Sequence, residues 1–76
     1  MFEKSLLGSR ISGLRMSKSL TQQTLADVVG LKKTAISMIE SGQRAASIEV
    51  LYALADYFDV SLDYLVGRSD NPEVNQ

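Results

Sequence analysis

Apolar residues recur along this chain at helical spacing, and nowhere in the sustained alternation that a half-buried strand requires. Leu7, Ile11 and Leu14 share one face and predict a first helix from about Ser5 to Ser17. Gly8 and Gly13 weaken that helix by roughly 1 kcal/mol each relative to alanine, so fraying of its first turn is expected. Leu25, Val29, Leu31, Ile36 and Ile39 then fall where two shorter helices would face a common core. The first of these starts at Thr21, a good N-cap residue, and stops before Gly30. The second runs from about Lys33 to Glu40 and is closed by Ser41-Gly42. Gly30 supplies the sharp, left-handed turn between them without a Cβ penalty. Ala26 is small where two helices must cross closely.

Leu51, Leu54, Ala55 and Phe58 form the inner stripe of a fourth helix. It starts after Ser47 and carries Glu49 in its first turn, where the helix dipole favours an acid. Ser61 caps a short fifth helix that ends near Gly67. Residues 69–76, with Pro72 and two asparagines, predict a flexible polar tail. The expected fold is therefore all-α, five helices in one small domain over residues 1–68. On the third helix the outward stripe is mostly polar: Thr34, Ser37, Met38 and Ser41 follow the i, i+3, i+4, i+7 spacing of one face. A polar face on a helix held out by its neighbour is the layout of a helix-turn-helix DNA reader.

At these residues the sequence resembles the Cro/phage-repressor (XRE-like) helix-turn-helix family. The resemblance runs from about Arg10 to Gly67. It rests on Leu20-Thr21-Gln22-Gln23, Leu25-Ala26, Val29-Gly30-Leu31, Thr34-Ala35-Ile36-Ser37, Ile39-Glu40-Ser41-Gly42 and Val60-Ser61-Leu62-Asp63-Tyr64-Leu65, in that order at compatible spacing. It implies a five-helix, repressor-like DNA-binding domain. The implied function is a sequence-specific regulator of transcription, most simply a repressor, that binds an inverted-repeat operator as a homodimer with the third helix in the major groove. A phage-type repressor, a small autoregulator and a restriction–modification controller all fit that description.

Charge sharpens the picture. The net charge of −1 argues at first against nucleic acid, but its distribution does not. Residues 1–44 carry seven Lys/Arg against three acids, a net +4, and residues 45–76 carry Arg68 against six acids, a net −5. The basic part coincides with the reading motif. The acidic part would point away from DNA or toward a partner. With neither cysteine nor histidine, the chain has no disulfide, no thiolate chemistry, no zinc ligation by those residues and no histidine base. No apolar run approaches the length of a membrane span and the start lacks a signal-peptide plan, so a cytoplasmic protein is expected.

Lys32 and Lys33 stand at the start of the third helix, where the dipole disfavours cations and a hydroxyl or carboxyl cap is preferred. DNA phosphates or base acceptors would turn that unfavourable field into a contact. Thr34, Ser37, Met38 and Ser41 are the candidate readers of base edges. None is a bidentate reader, so modest specificity per contact is expected, with Lys33 to guanine the strongest. Gln43 and Arg44, just past the third helix, and Arg10 on the first, are placed as backbone-positioning contacts. The resemblance further implies that Gln22 clamps a phosphate or touches a reader on the third helix, and that Arg15 and Glu40 form a structural salt bridge. Two departures from the family stand out: a small hydroxyl residue is usual where Lys32 lies, and a proline is usual near Ala45-Ala46.

Val50, Ala53 and Tyr57 make a second apolar stripe on the fourth helix, and Tyr64, Val66, Phe2 and Leu6 add further apolar surface. Two apolar sides on one helix point to an interface, and the resemblance implies that it is a homodimer's, with the residues that form it left open. RNA polymerase or a protein antagonist are further partners consistent with the acidic half. The competing reading is a protein-interaction module, antitoxin-like, with weak DNA binding. Asp56, Asp59 and Asp63 are better explained as a helix end, a cap region and a solvated face than as a catalytic cluster, and nothing in the chain calls for a metal or cofactor.

Overall fold

Five segments close into helices in the computed structural model, which describes residues 2–74. They are α1 (Lys4–Ser17), α2 (Gln22–Val29), α3 (Lys33–Glu40), α4 (Ile48–Phe58) and α5 (Leu62–Leu65), with no strand among the described residues. Hydroxyl side chains start three of them. Thr21 Oγ1 accepts the Thr24 N–H at 3.0 Å, Ser47 Oγ accepts the Val50 N–H at 3.3 Å, and Ser61 Oγ accepts the Tyr64 N–H at 3.0 Å. Each bond satisfies a donor that the helix itself leaves without a partner. Left-handed residues end two of them. Gly30 turns the chain at φ 73°, and Asp59 does the same after α4 at φ 56°, a conformation that aspartate tolerates better than most side chains. The Val60 N–H then reaches back to the Ala55 carbonyl at 3.0 Å and fixes the entry into α5.

The apolar stripes meet in one core. Leu7 and Ile11 of α1, Leu25 and Ala26 of α2, Ile36 and Ile39 of α3, Leu51, Leu54 and Phe58 of α4, and Leu65 of α5 are all buried in it. Each fully buried leucine or isoleucine contributes about 1.5–3 kcal/mol of transfer free energy, so the core is the main source of stability. Leu14, expected on the inner stripe, is only half-buried at its edge, as are Val29 and Leu31.

The sequence pattern treats Gly8 as a weak point of α1, and the structure gives it a different role. Gly8 is buried, and a Cβ there would fall on the carbonyl oxygens of Ile39 and Glu40. A second close approach follows: Gly42, at φ 80°, would place a Cβ 3.1 Å from the Ser5 Cα. The backbone at the start of α1 thus lies directly on the end of α3, and the first turn expected to fray is seated there.

The first residues of the expected tail make contacts with the body. The Pro72 carbonyl accepts the Ser61 N–H at 2.9 Å, and Arg10 holds the Ser69 carbonyl at 2.7 Å and Asp70 at 2.8 Å. Residues 69–72 are therefore fastened to the body by backbone groups that the composition of the segment does not reveal. Asn75 and Gln76 lie outside the described residues.

Candidate nucleic-acid interface

α2 and α3 pack at the turn set by Gly30, with Ala35, Ile36 and Ile39 buried beneath α3. Its other side is open. Lys32, Lys33, Thr34, Ser37 and Ser41 are exposed, and Gln43 and Arg44 are exposed beyond its end. Met38 is half-buried, where the sequence reading places it outside; its flexible thioether chain covers the edge of the helix face. The stripe therefore survives as a surface of two hydroxyls near the helix start, a partly covered methionine, and a third hydroxyl at the exit.

Electrostatics single out the start of α3. Lys32 occupies the N-cap position with no side-chain cap bond, so the first N–H groups of the helix keep their partial positive charge. Lys33 follows as the first residue of the helix. The ion pairs found among the described residues use Arg10 and Arg15, and leave Lys32, Lys33 and Arg44 without a carboxylate partner. Two lysines without a carboxylate partner at an uncapped helix start are an arrangement that favours an approaching anion, a phosphate included.

Under this face lies a compact polar network. Arg15 Nε donates to Glu40 Oε2 at 2.7 Å, and Arg15 Nη2 donates to Glu40 Oε1 at 3.1 Å. The third nitrogen, Nη1, donates to the Leu20 carbonyl at 2.8 Å. The two side chains are 13% and 6% exposed, so this is a bidentate, mostly buried ion pair that ties α1 to the end of α3. Hydrogen bonding to Glu40 is the largest influence on the guanidinium and raises it above the ordinary arginine range. Gln22 joins the same carboxylate: its Nε2 donates to Glu40 Oε1 at 3.1 Å. This contact goes to the scaffold pair rather than to a reader on α3, and neither pattern nor composition announces it.

The exit of α3 is ordered by a smaller network. Ser41 Oγ donates to the Met38 carbonyl at 3.2 Å and accepts from Gln43 Nε2 at 3.0 Å. Two expected DNA contacts are thus bonded to each other, while Arg44 is exposed beyond them.

Arg10 does not join the interface. Its Nη1 donates to the carbonyls of Tyr64 and Ser69, its Nη2 donates to Asp70, and its guanidinium lies 4.1 Å from the centre of the Tyr64 ring. Those partners take up the group that a phosphate would need. In this arrangement Arg10, expected among the backbone-positioning contacts, fastens α1 to the C-terminal segment.

The apolar surface also differs in detail from its reading. Val50, Tyr64 and Val66 are half-buried against the core and Ala53 is half-buried, whereas Ile48 and Tyr52, one helical turn apart on α4, are 59% and 56% exposed. Tyr57 and Phe2 remain outward as expected. On the acidic side, Asp56, Asp59, Asp63 and Glu73 border an open groove of about 490 Å³ together with Tyr52 and Val74. No group of carboxylates among the described residues is placed to hold a metal ion.

A helix-turn-helix family model matches residues 11–65, which contain α2, α3, α4 and α5 whole. The HTH-type transcriptional regulator AnsR of Bacillus subtilis is 42% identical over 59 residues, 78% of this chain and 51% of that protein. The P22 c2 repressor, solved in complex with a synthetic operator, superposes with a TM-score of 0.79 at 33% identity, covering 84% of this chain and 97% of that one. The restriction-modification controller protein C.AhdI from Aeromonas hydrophila superposes with a TM-score of 0.74 at 34% identity, covering 82% and 94%. The chain spans between 51% and 61% of the length of the first curated relatives it matches.

Proposed function

The chain belongs to the helix-turn-helix family, and from that membership we propose that it is a sequence-specific, double-stranded DNA-binding regulator of transcription. In this reading it is a repressor that occupies an inverted-repeat operator as a homodimer. α3 enters the major groove, Thr34, Ser37, Met38 and Ser41 meet base edges, and Lys32, Lys33, Gln22, Gln43 and Arg44 set the register on the backbone. The observation that carries the proposal is the start of α3: an uncapped helix end with two lysines that have no carboxylate partner, beside an exposed polar face. The charge asymmetry supports it, because residues 1–44, the stretch that contains that face, carry a net +4. Ile48, Tyr52, Tyr57 and Phe2 supply the apolar surface for a second copy. A two-fold pair would place its reading helices about 34 Å apart, one turn of DNA. In this reading residues 1–68 make up the DNA-binding domain and the chain works in the cytoplasm.

Selection from a random double-stranded DNA pool at near-physiological salt tests this reading directly. Enrichment of an inverted repeat with half-sites one turn apart is expected, with a log–log salt slope of roughly −5 to −7 for a dimer making six to eight phosphate contacts. Failure to enrich, together with weak binding that salt abolishes, would overturn it. The second reading, an interaction module with weak DNA binding, is favoured by one observation, the acidic groove along α4 and α5. RNA polymerase or a protein antagonist would meet the chain on that side.

A further inference from the structure

The shared carboxylate of Glu40 gives the ion pair a second use. Three donors converge on its two oxygens: Arg15 Nε on Oε2 at 2.7 Å, and Arg15 Nη2 and Gln22 Nε2 on Oε1, each at 3.1 Å. Gln22 is the first residue of α2, directly after the Thr21 cap, and it is half-buried. A glutamine at a helix start samples many rotamers when free, and a contact made by a freely moving side chain loses much of its benefit to ordering. Here one amide hydrogen is committed to Glu40, which leaves the second hydrogen with a fixed direction.

We infer that Glu40 is a positioning residue for DNA binding: through Oε1 it holds the Gln22 amide ready to donate its remaining N–H to a backbone phosphate. Arg15 has a matching electrostatic part. A lone carboxylate near the bound backbone would repel it, and the bidentate guanidinium neutralises that charge while keeping the oxygen available as an acceptor. The inference rests on the proposed DNA-binding role, and it gives a residue from the scaffold a place in the contact with the ligand.

A double-mutant cycle of Gln22→Ala, Glu40→Gln and the pair tests it. The probe is a fluorescein-labelled duplex recovered by selection with the wild-type protein, beside a random-sequence duplex of equal length. Glutamine at 40 keeps the shape but offers one acceptor oxygen where three donors meet, so the Gln22 amide is released. Each single variant should weaken binding by about three- to tenfold, the range of one well-made neutral hydrogen bond. The double variant should be no weaker than the weaker single variant. The loss should be the same factor on both duplexes, since a phosphate contact carries no sequence information.

Removal of a negative charge alone would tighten binding to DNA, so a Glu40→Gln protein that binds as well as or better than wild type would overturn the inference. Losses that multiply in the double variant, or that appear on the selected duplex only, would overturn it as well. Should Glu40→Gln fail to fold, the wild-type protein still decides. Its Gln22 side-chain amide should show the restricted ¹⁵N relaxation of an ordered group in the absence of DNA, and relaxation of a freely rotating amide would overturn the inference. A wild-type protein that binds neither duplex would instead refute the DNA-binding proposal itself.

Discussion

Two arginines five residues apart on α1 make the same kind of connection in two unlike regions of the molecule. Arg15 reaches the reading end: it bonds Glu40 through two nitrogens and the Leu20 carbonyl through a third. Arg10 reaches the C-terminal end, bonding the carbonyls of Tyr64 and Ser69 and the carboxylate of Asp70. The difference lies in what surrounds the carboxylate. Glu40 is 6% exposed, whereas Asp70 is fully exposed, so the first pair is held in a low-dielectric seam and the second is screened by water. The reading end is organised around a buried charge pair. The C-terminal end is organised around backbone carbonyls and a tyrosine ring, with the charge as an accessory.

That contrast predicts unequal costs, and the largest is at Glu40. Glu40→Ala leaves the Arg15 guanidinium 13% exposed with no carboxylate and leaves Gln22 without its acceptor. A loss of about 3 kcal/mol is expected, as for breaking a buried pair by removing one partner. Small domains of this size have a total stability of roughly 4–11 kcal/mol, so thermal melting should fall by well over about 10 °C. An unchanged melting temperature would mean that the buried seam contributes nothing and that the two ends are alike after all.

Next comes Gly8, which belongs to the same seam. Helix propensity alone predicts that Gly8→Ala stabilises α1 by about 1 kcal/mol. The structure predicts the opposite sign, because the new methyl group meets main-chain oxygens of Ile39 and Glu40 that cannot rotate away. A net destabilisation of about 2 kcal/mol is expected from forced separation of the two helices. Chemical denaturation of the variant checks the sign, and a gain in stability would remove close helix contact as an organising feature of this end.

The two ends are also unequally legible in the sequence. Periodicity and caps located all five helices, the first three to within about one residue at each end and the fifth about two residues too long, because the first four carry apolar stripes at helical spacing and three start at a hydroxyl cap. The α3 face was legible for the same reason: its buried and polar positions alternate with the helical period. Gly8 was misread because propensity scales describe an isolated helix and say nothing of a neighbour's carbonyls. The partners of Arg10 are not legible in the sequence because they are mainly backbone oxygens, which every sequence has and no motif marks. Gln22 shows a finer limit. Its place at the head of α2 was readable from the chain, but not the carboxylate that its amide would find 18 residues further on.

At the C-terminal end the expected effects are smaller. Arg10→Ala removes two bonds to carbonyls and the stacking on Tyr64, and should cost about 1–2 kcal/mol, read from the same melting experiment. Asp70→Asn should leave melting unchanged within error, because an exposed carboxylate contributes little in water. A cost for Arg10→Ala equal to that for Glu40→Ala would erase the distinction between the seams.

A small effect of opposite sign is expected at Gly13, and it sharpens the comparison from within α1 itself. Gly13 and Gly8 lie on one helix five residues apart and look alike in any propensity scale. Gly13 is exposed, and a Cβ built there meets nothing within 4 Å. Its conformation is helical, so alanine costs no strain and reduces the freedom of the unfolded chain. Gly13→Ala should therefore stabilise the domain by about 0.5–1 kcal/mol, seen as a rise of a few degrees in melting temperature. DNA affinity should stay the same. Opposite signs at the two glycines would isolate the carbonyls at the end of α3 as the cause, since the helix, the substitution and the propensity gain are identical. A loss at Gly13 would show instead that α1 tolerates no added side chain anywhere along its length, and the case for a tight seam specific to the reading end would fail.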